Sequence, residues 1–149
     1  MICEKFVNND HRISDNFRQK HASRDYANLM AMSRFSPGDF LVFQLEAGFA
    51  LLRLLAAEGE GNDMVWHVAG YRDFFPDVEA AERASGEDEN LTISEPHMAL
   101  TNRAFESTQV ATIFNKPLTP HEVGPYAKWK SDPNRQVSNR SVRLMLGLR

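Results

Sequence analysis

Residues 35–71, FSPGDFLVFQLEAGFALLRLLAAEGEGNDMVWHVAGY, decide how this chain folds. Pro37-Gly38 marks a turn, and Asp39 beside it suits bonding to nearby backbone N–H groups. Phe40 to Leu45 is rich in β-formers without clean alternation, as expected of a strand covered on both faces. Glu46-Ala47-Gly48 is short enough for a hairpin loop. Phe49 to Ala57 is the ambiguous run, because Ala, Leu and Arg are also strong helix formers. Its place between a glycine turn and the loop Glu58-Gly59-Glu60-Gly61-Asn62-Asp63 favours a strand. The β-type run Met64-Val65-Trp66-His67-Val68 follows. The stretch reads as three consecutive antiparallel strands, with Gly70-Tyr71-Arg72-Asp73 leaving the sheet.

Outward from there, Pro76 with Asp77, Glu79 and Glu82 signals a helix over Val78 to Ala84, ended by Gly86. Glu87-Asp88-Glu89-Asn90 is an exposed acidic loop. Leu91 to Ser94 and Pro96 to Leu100 read as one edge strand, interrupted at Pro96. Thr101 caps a short helix, Asn102 to Glu106. Gln109 to Phe114 alternates as a strand does. Thr119-Pro120-His121-Glu122 combines a capping box with proline in the first turn. Pro125 predicts a break at Gly124-Pro125, followed by a second short helix that carries Tyr126 and Trp129. Val142 to Leu146 either pairs as a strand or stays loose. The expected fold class is mainly β (α+β): a partly open small antiparallel barrel of five or six strands with short rim helices. Residues 1–34 form a polar extension with one short helix over Ser23 to Met32, residues 35–130 the domain, and residues 131–149 a basic tail.

At 149 residues the chain fits one domain, and ten Phe and two Trp suffice for a core. No apolar run approaches the roughly 20 residues that span a bilayer. Met1-Ile2-Cys3-Glu4-Lys5 carries no apolar leader core, so a bacterial cytoplasmic location is expected. Cys3 is the sole cysteine, which excludes an internal disulfide and a cysteine metal cluster. The net charge of −3 hides an asymmetry: residues 46–95 carry twelve acids and three bases, and residues 126–149 six bases and one acid.

The chain has no Gly-x-Ser-x-Gly, and Cys3 sits in a terminus expected to lack stable order, where a thiol cannot be held near a base. His67, His97 and His121 lie far apart in sequence, and His121-Glu122 lacks a second histidine at the helical offset zinc sites use. Trp66 and Val68 flank His67, which places it on the opposite, solvent-facing side of its strand. Gly59-Glu60-Gly61 carries an acid that would repel phosphate, and no helix follows it. Asp39 and Asp73 both fall at strand ends without a restraint that would pair them. No catalytic residue, metal or cofactor is therefore assigned. The acidic set Glu58, Glu60, Asp63, Glu87, Asp88 and Glu89 points to another protein with a basic surface. The alternative is a nucleic-acid-associated module using Lys128, Lys130, Arg135, Arg140 and Arg143 with Tyr126 and Trp129, against which the acidic body would act.

Phe35-x-x-Gly38-Asp39-Phe40, then Gly48-Phe49-Ala50 and Arg53, then Tyr71, resembles the small β-rich bacterial proteins grouped as immunity protein 26. The resemblance covers residues 35–75. It implies an antitoxin that neutralises a toxin by binding it, without catalysis or cofactor, and it assigns no site residues.

Overall fold

The Pro37-Gly38 corner turns the chain into β1 (Asp39–Leu45), with Gly38 at a φ of 95°. A Cβ on Gly38 would stand 2.6 Å from the Lys116 carbonyl oxygen, so the corner admits only glycine. The computed structural model describes residues 34–148; the short helix expected over 23–32 and Cys3 lie outside them.

After the Glu46-Ala47 loop the chain returns as β2 (Gly48–Glu58), extended throughout. Helix propensity in residues 49–57 loses to pairing on both sides, by β1 and by β3 (Val65–Phe75). β3 runs seven residues beyond the expected Val68, because Gly70 to Phe75 pairs with β2 and with β4 (Ile93–Thr101) instead of leaving the sheet. β5 (Ala111–Asn115) then crosses back to pair with β1. The result is a five-stranded antiparallel sheet of order β4-β3-β2-β1-β5. The mainly β (α+β) expectation holds, and β4 is an edge strand as Pro96 suggested, but it runs on through that proline instead of breaking there, its pairing with β3 shifting register between Met98 and Glu95. The sheet is not closed into a barrel. β4 and β5 remain opposite edges, and helices cover both faces where a barrel would fill one face with its own side chains.

One face carries Leu41, Phe43, Leu52, Leu54, Trp66, Val68, Met98 and Leu100. Helix α2 (Asn102–Thr108) covers it through Ala104 and Phe105, and the C-terminal stretch adds the one-turn helix α4 (Val142–Met145) with Val142 fully buried. Trp66 stacks on Phe105 at 4.1 Å, and Phe35 packs edge-on against both rings. Val142 to Leu146 thus neither pairs as a strand nor stays loose. Ser138 bridges to Leu100 and hydrogen-bonds the backbones of Ala99 and Thr101, which anchors the stretch to the β4 edge.

The opposite face carries Phe40, Val42, Leu51 and Tyr71 under helix α1 (Val78–Gly86), whose Ala81 is buried. Helix α3 (Pro120–Ser131) lies against β2 and β4 on that face. It is one helix, not two. Pro125 forgoes a backbone bond inside it, but contacts on both sides of the proline tie it down: the Thr119/Glu122 capping box before, Tyr126 and Trp129 after.

Substituting Gly38→Ala should lower unfolding stability by about 2 kcal/mol, since it combines a left-handed backbone with a backbone clash. Urea denaturation checks this, and an unchanged midpoint would contradict the tight corner.

Candidate functional site

The charged side chain in the middle of β2, Arg53, is only 1% exposed. Its Nη1 donates to the Gly38 carbonyl and its Nε donates to Glu122 Oε2 at 2.9 Å. The guanidinium sits 4.2 Å from the Phe40 ring centroid. Glu122 Oε1 also accepts from the Thr119 backbone N–H at 3.0 Å, so one carboxylate both caps α3 and pairs with the sheet. Burial pushes the Glu122 carboxyl up, but the Arg53 hydrogen bond and the Thr119 N–H outweigh it and hold it below its usual range. Asp39, 4% exposed, accepts from the Ser36 backbone N–H, Thr112 Oγ1 and Asn115 Nδ2 at 2.7–3.1 Å. Asp73 accepts from the Thr92 backbone N–H at 2.7 Å. The two carboxylates thus have separate structural partners and do not form an acid–base pair.

Further along the same face lies a stack of histidines. His67 is fully buried, not solvent-facing, because α3 covers the side of β3 opposite Trp66. Its Nδ1 is 2.9 Å from Nε2 of His97 on β4, and its ring packs against Tyr126 and Trp129 at 4.5 and 4.6 Å. His67 Nε2 has no hydrogen bond and lies 3.5 Å from Glu58 Oε2. One tautomer keeps a lone pair from facing that carboxylate: His97 Nε2–H donates to His67 Nδ1, and His67 Nε2–H points at Glu58. Glu58 is further held by the Tyr126 hydroxyl, which donates to Oε1, and by Lys130 Nζ at 3.1 Å. The Tyr126 hydrogen bond is the main reason its carboxyl lies below the usual range. Burial lowers both imidazoles, against the opposing pull of Glu58 on His67, and His97 falls to about 4. The pair is therefore neutral near pH 7.

A pocket of about 480 Å³ opens between the two clusters. Its walls are Leu55, Ala69 and Tyr71 of the sheet, Ile93 and Pro96 of β4, and the first half of α3 including His121 and Glu122. None of its residues stood among the expected site residues.

The expected acidic surface divides in two. Glu58, Glu60 and Asp63 lie at the β2–β3 hairpin, whose Gly61–Asp63 turn packs on α2; Glu87, Asp88 and Glu89 follow α1, and the turn Asp88–Asn90 packs on that helix. Glu58 is committed to Tyr126, His67 and Lys130, and Asp88 to Lys116 at 2.7 Å. Glu60, Asp63, Glu87 and Glu89 are exposed, and among the described residues their side chains have no hydrogen bond or ion pair. Of the C-terminal bases, Lys130 is paired with Glu58 and Arg143 donates to the Gln44 carbonyl at 2.8 Å. Arg135 lies 5.8 Å from the Trp129 ring centroid. Lys128 and Arg140 are exposed, with side chains that make no such contact.

Among the described residues no group of three or more histidine, cysteine, aspartate or glutamate side chains converges to hold a metal ion. No described helix is long and apolar enough to cross a membrane. The chain matches no protein-family model, no curated protein and no solved structure.

Arg53→Met should lower stability by about 3 kcal/mol, because Glu122 and the Gly38 carbonyl lose their partner. Arg53→Met combined with Glu122→Leu should lose less than the sum of the single variants; additive losses in urea titrations would show that the two side chains are not coupled.

Both imidazoles have folded pKa values below their ordinary 6.5, so the unfolded chain binds more protons as pH falls from there towards about 4. Stability is complete above that window and declines through it. The thermal midpoint should therefore fall between about pH 7 and about pH 5, and His97→Gln should flatten the decline. A flat wild-type profile would contradict a neutral pair.

Proposed function

We propose that the protein is a non-catalytic binding module that neutralises a basic protein partner, as a bacterial cytoplasmic immunity protein or antitoxin does. The observation that carries this reading is the division among the acidic side chains. Glu58 and Asp88 are spent on internal contacts, while Glu60, Asp63, Glu87 and Glu89 present exposed carboxylates without a partner. Such a surface speeds encounter with a basic protein and penalises partners of like charge. The resemblance of residues 35–75 to immunity protein 26 supports the same reading. The polar groups the resemblance rests on, Gly38, Asp39 and Arg53, have structural duties, which suits a scaffold that presents a surface. The nucleic-acid alternative is weakened by the internal engagement of Lys130, Arg135 and Arg143, which leaves Lys128 and Arg140 as available cations.

On this reading a gene beside this one encodes a secreted toxin, and co-expression should protect cells from it. Reversing Glu60, Asp63, Glu87 and Glu89 together to lysine should weaken binding of that toxin at least about tenfold, with an unchanged thermal midpoint. Undiminished binding by that variant, or retention of the wild type on heparin at physiological salt, would refute the assignment.

A further inference from the structure

We infer that the open edge of β5 takes an extended, lysine- or arginine-bearing segment of the protein partner as a sixth strand of the sheet. The inference rests on the binding role proposed above and names the contact that holds the partner.

An outermost strand presents a row of backbone donors and acceptors, and proteins normally cover or defend such a row. The two edges of this sheet are treated differently. β4 carries Pro96, and the backbones of its Ala99 and Thr101 bond to Ser138, so the C-terminal stretch covers part of its outer side. β5 pairs with β1 alone. Among the described residues, no backbone hydrogen bond reaches Ala111–Asn115 from the other side. Ala111, Thr112, Phe114 and Asn115 are exposed. The strand reads Ala-Thr-Ile-Phe-Asn, with neither a charge nor a proline to turn away an incoming strand. Phe114 rests on the Phe40 ring yet stays 37% exposed, an apolar ledge at the rim. Its neighbour Ile113 has no partner residue in β1, because the register shifts between Phe40 and Leu41. Bulges of this kind recur at sheet edges and re-aim the side chains beside them. Only an occupant that is itself extended meets such a row: its main chain supplies the bonds and its side chains the choice of partner.

The charge around this edge selects the occupant. Helix α1 packs on β5 and carries Glu79 and Glu82, both exposed, with Glu87, Asp88 and Glu89 following in the turn after it. Asp77 is spent on capping that helix. The opposing bases of these segments are Arg83, on α1, and Lys116, just past β5, which is already bonded to Asp88. Carboxylates therefore predominate beside the open edge, and a strand bearing lysine or arginine is attracted where an acidic one is repelled. The same charges count against a second copy of this chain. Two β5 edges joined antiparallel are related by a twofold axis perpendicular to the sheet. That operation sets both α1 helices on one face, side by side, and brings two acidic flanks together.

The test uses the whole isotope-labelled chain and the peptide acetyl-Lys-Val-Thr-Val-Lys-Val-Lys-amide. Two controls go beside it: the same peptide N-methylated at alternate residues, which cannot pair as a strand, and its counterpart with glutamate in place of lysine. The basic peptide should bind saturably, with its largest backbone shifts and newly slowed amide exchange at residues 111–115. Both controls should bind at least about tenfold more weakly. Phe114→Ser should weaken the basic peptide about threefold, the worth of one cross-strand pair. Should that variant be unstable, the N-methylated control decides the matter in the wild type. The assignment is overturned if the basic peptide does not bind, if its shifts fall outside residues 111–115, or if either control binds as well. Slow exchange of all the amides of residues 111–115 in the free, dilute protein overturns it too, because the chain itself then covers the edge. Protection there that grows with protein concentration assigns the edge to a second copy instead. The toxin should displace the peptide. A peptide that binds as expected but is not displaced shows that the edge is not the partner's site. Displacement by a toxin that binds the variant with Glu60, Asp63, Glu87 and Glu89 reversed as tightly as the wild type sinks the acidic-surface reading alone.

Discussion

A guanidinium buried at the centre of a sheet must have its donors met, and the contacts that meet those of Arg53 set the geometry of a whole face. The Gly38 carbonyl lies at the start of β1, and Glu122 lies in the first turn of α3. One side chain therefore joins the Pro37-Gly38 corner to the longest of the described helices. Such pairs add little net stability over apolar packing, but leaving one partner alone in the interior is costly. The constraint is better understood as directional: α3 can cover this face only in the position that brings Glu122 to Arg53. That position also lays Tyr126 and Trp129 over His67 and shapes the pocket beside Tyr71.

The elements made by local chemistry were legible in the chain. Pro37-Gly38 and Glu46-Ala47-Gly48 bracket β1, Thr101 caps α2, and Thr119 with Glu122 starts α3, because each signal acts within four residues. What was not legible depended on distant partners. Gly70 to Asp73 has the composition of a loop, yet residues 65–75 pair on both sides and stay extended. Pro125 is a helix breaker that contacts on either side of it override. The alternation around His67 correctly placed it opposite Trp66, but period-two reasoning names a face and not what covers that face. The expectation of solvent failed for that reason. Arg53 in an apolar strand was a visible sign of a buried ion pair; its partner, 69 residues on, was not. Tyr71 as a pocket residue had no local signal at all.

The charge asymmetry of the chain divides in the fold into two kinds of use. Lys130 and Lys116 meet Glu58 and Asp88, so part of the basic C-terminal half neutralises part of the acidic middle. Glu60, Asp63, Glu87 and Glu89 stand on turns, at the β2–β3 hairpin and after α1, whereas Glu79 and Glu82 are exposed on α1 itself. The pocket lies on the α3 face, lined by rigid strand residues and a capped helix start.

The position of β5 beside β1 has a consequence for how the chain is made. β1, β2, β3 and β4 pair with their sequence neighbours and can assemble as they emerge from the ribosome, but the first strand keeps an open edge until residues 111–115 are translated. Arg53 likewise has no carboxylate to meet until residue 122 emerges. A chain that ended near residue 105 would thus carry an uncapped strand and a lone cation at the middle of a four-stranded sheet. Residues 111–122 thus supply both the last strand of the sheet and the carboxylate at its centre, so the first half of the chain cannot complete this fold without them.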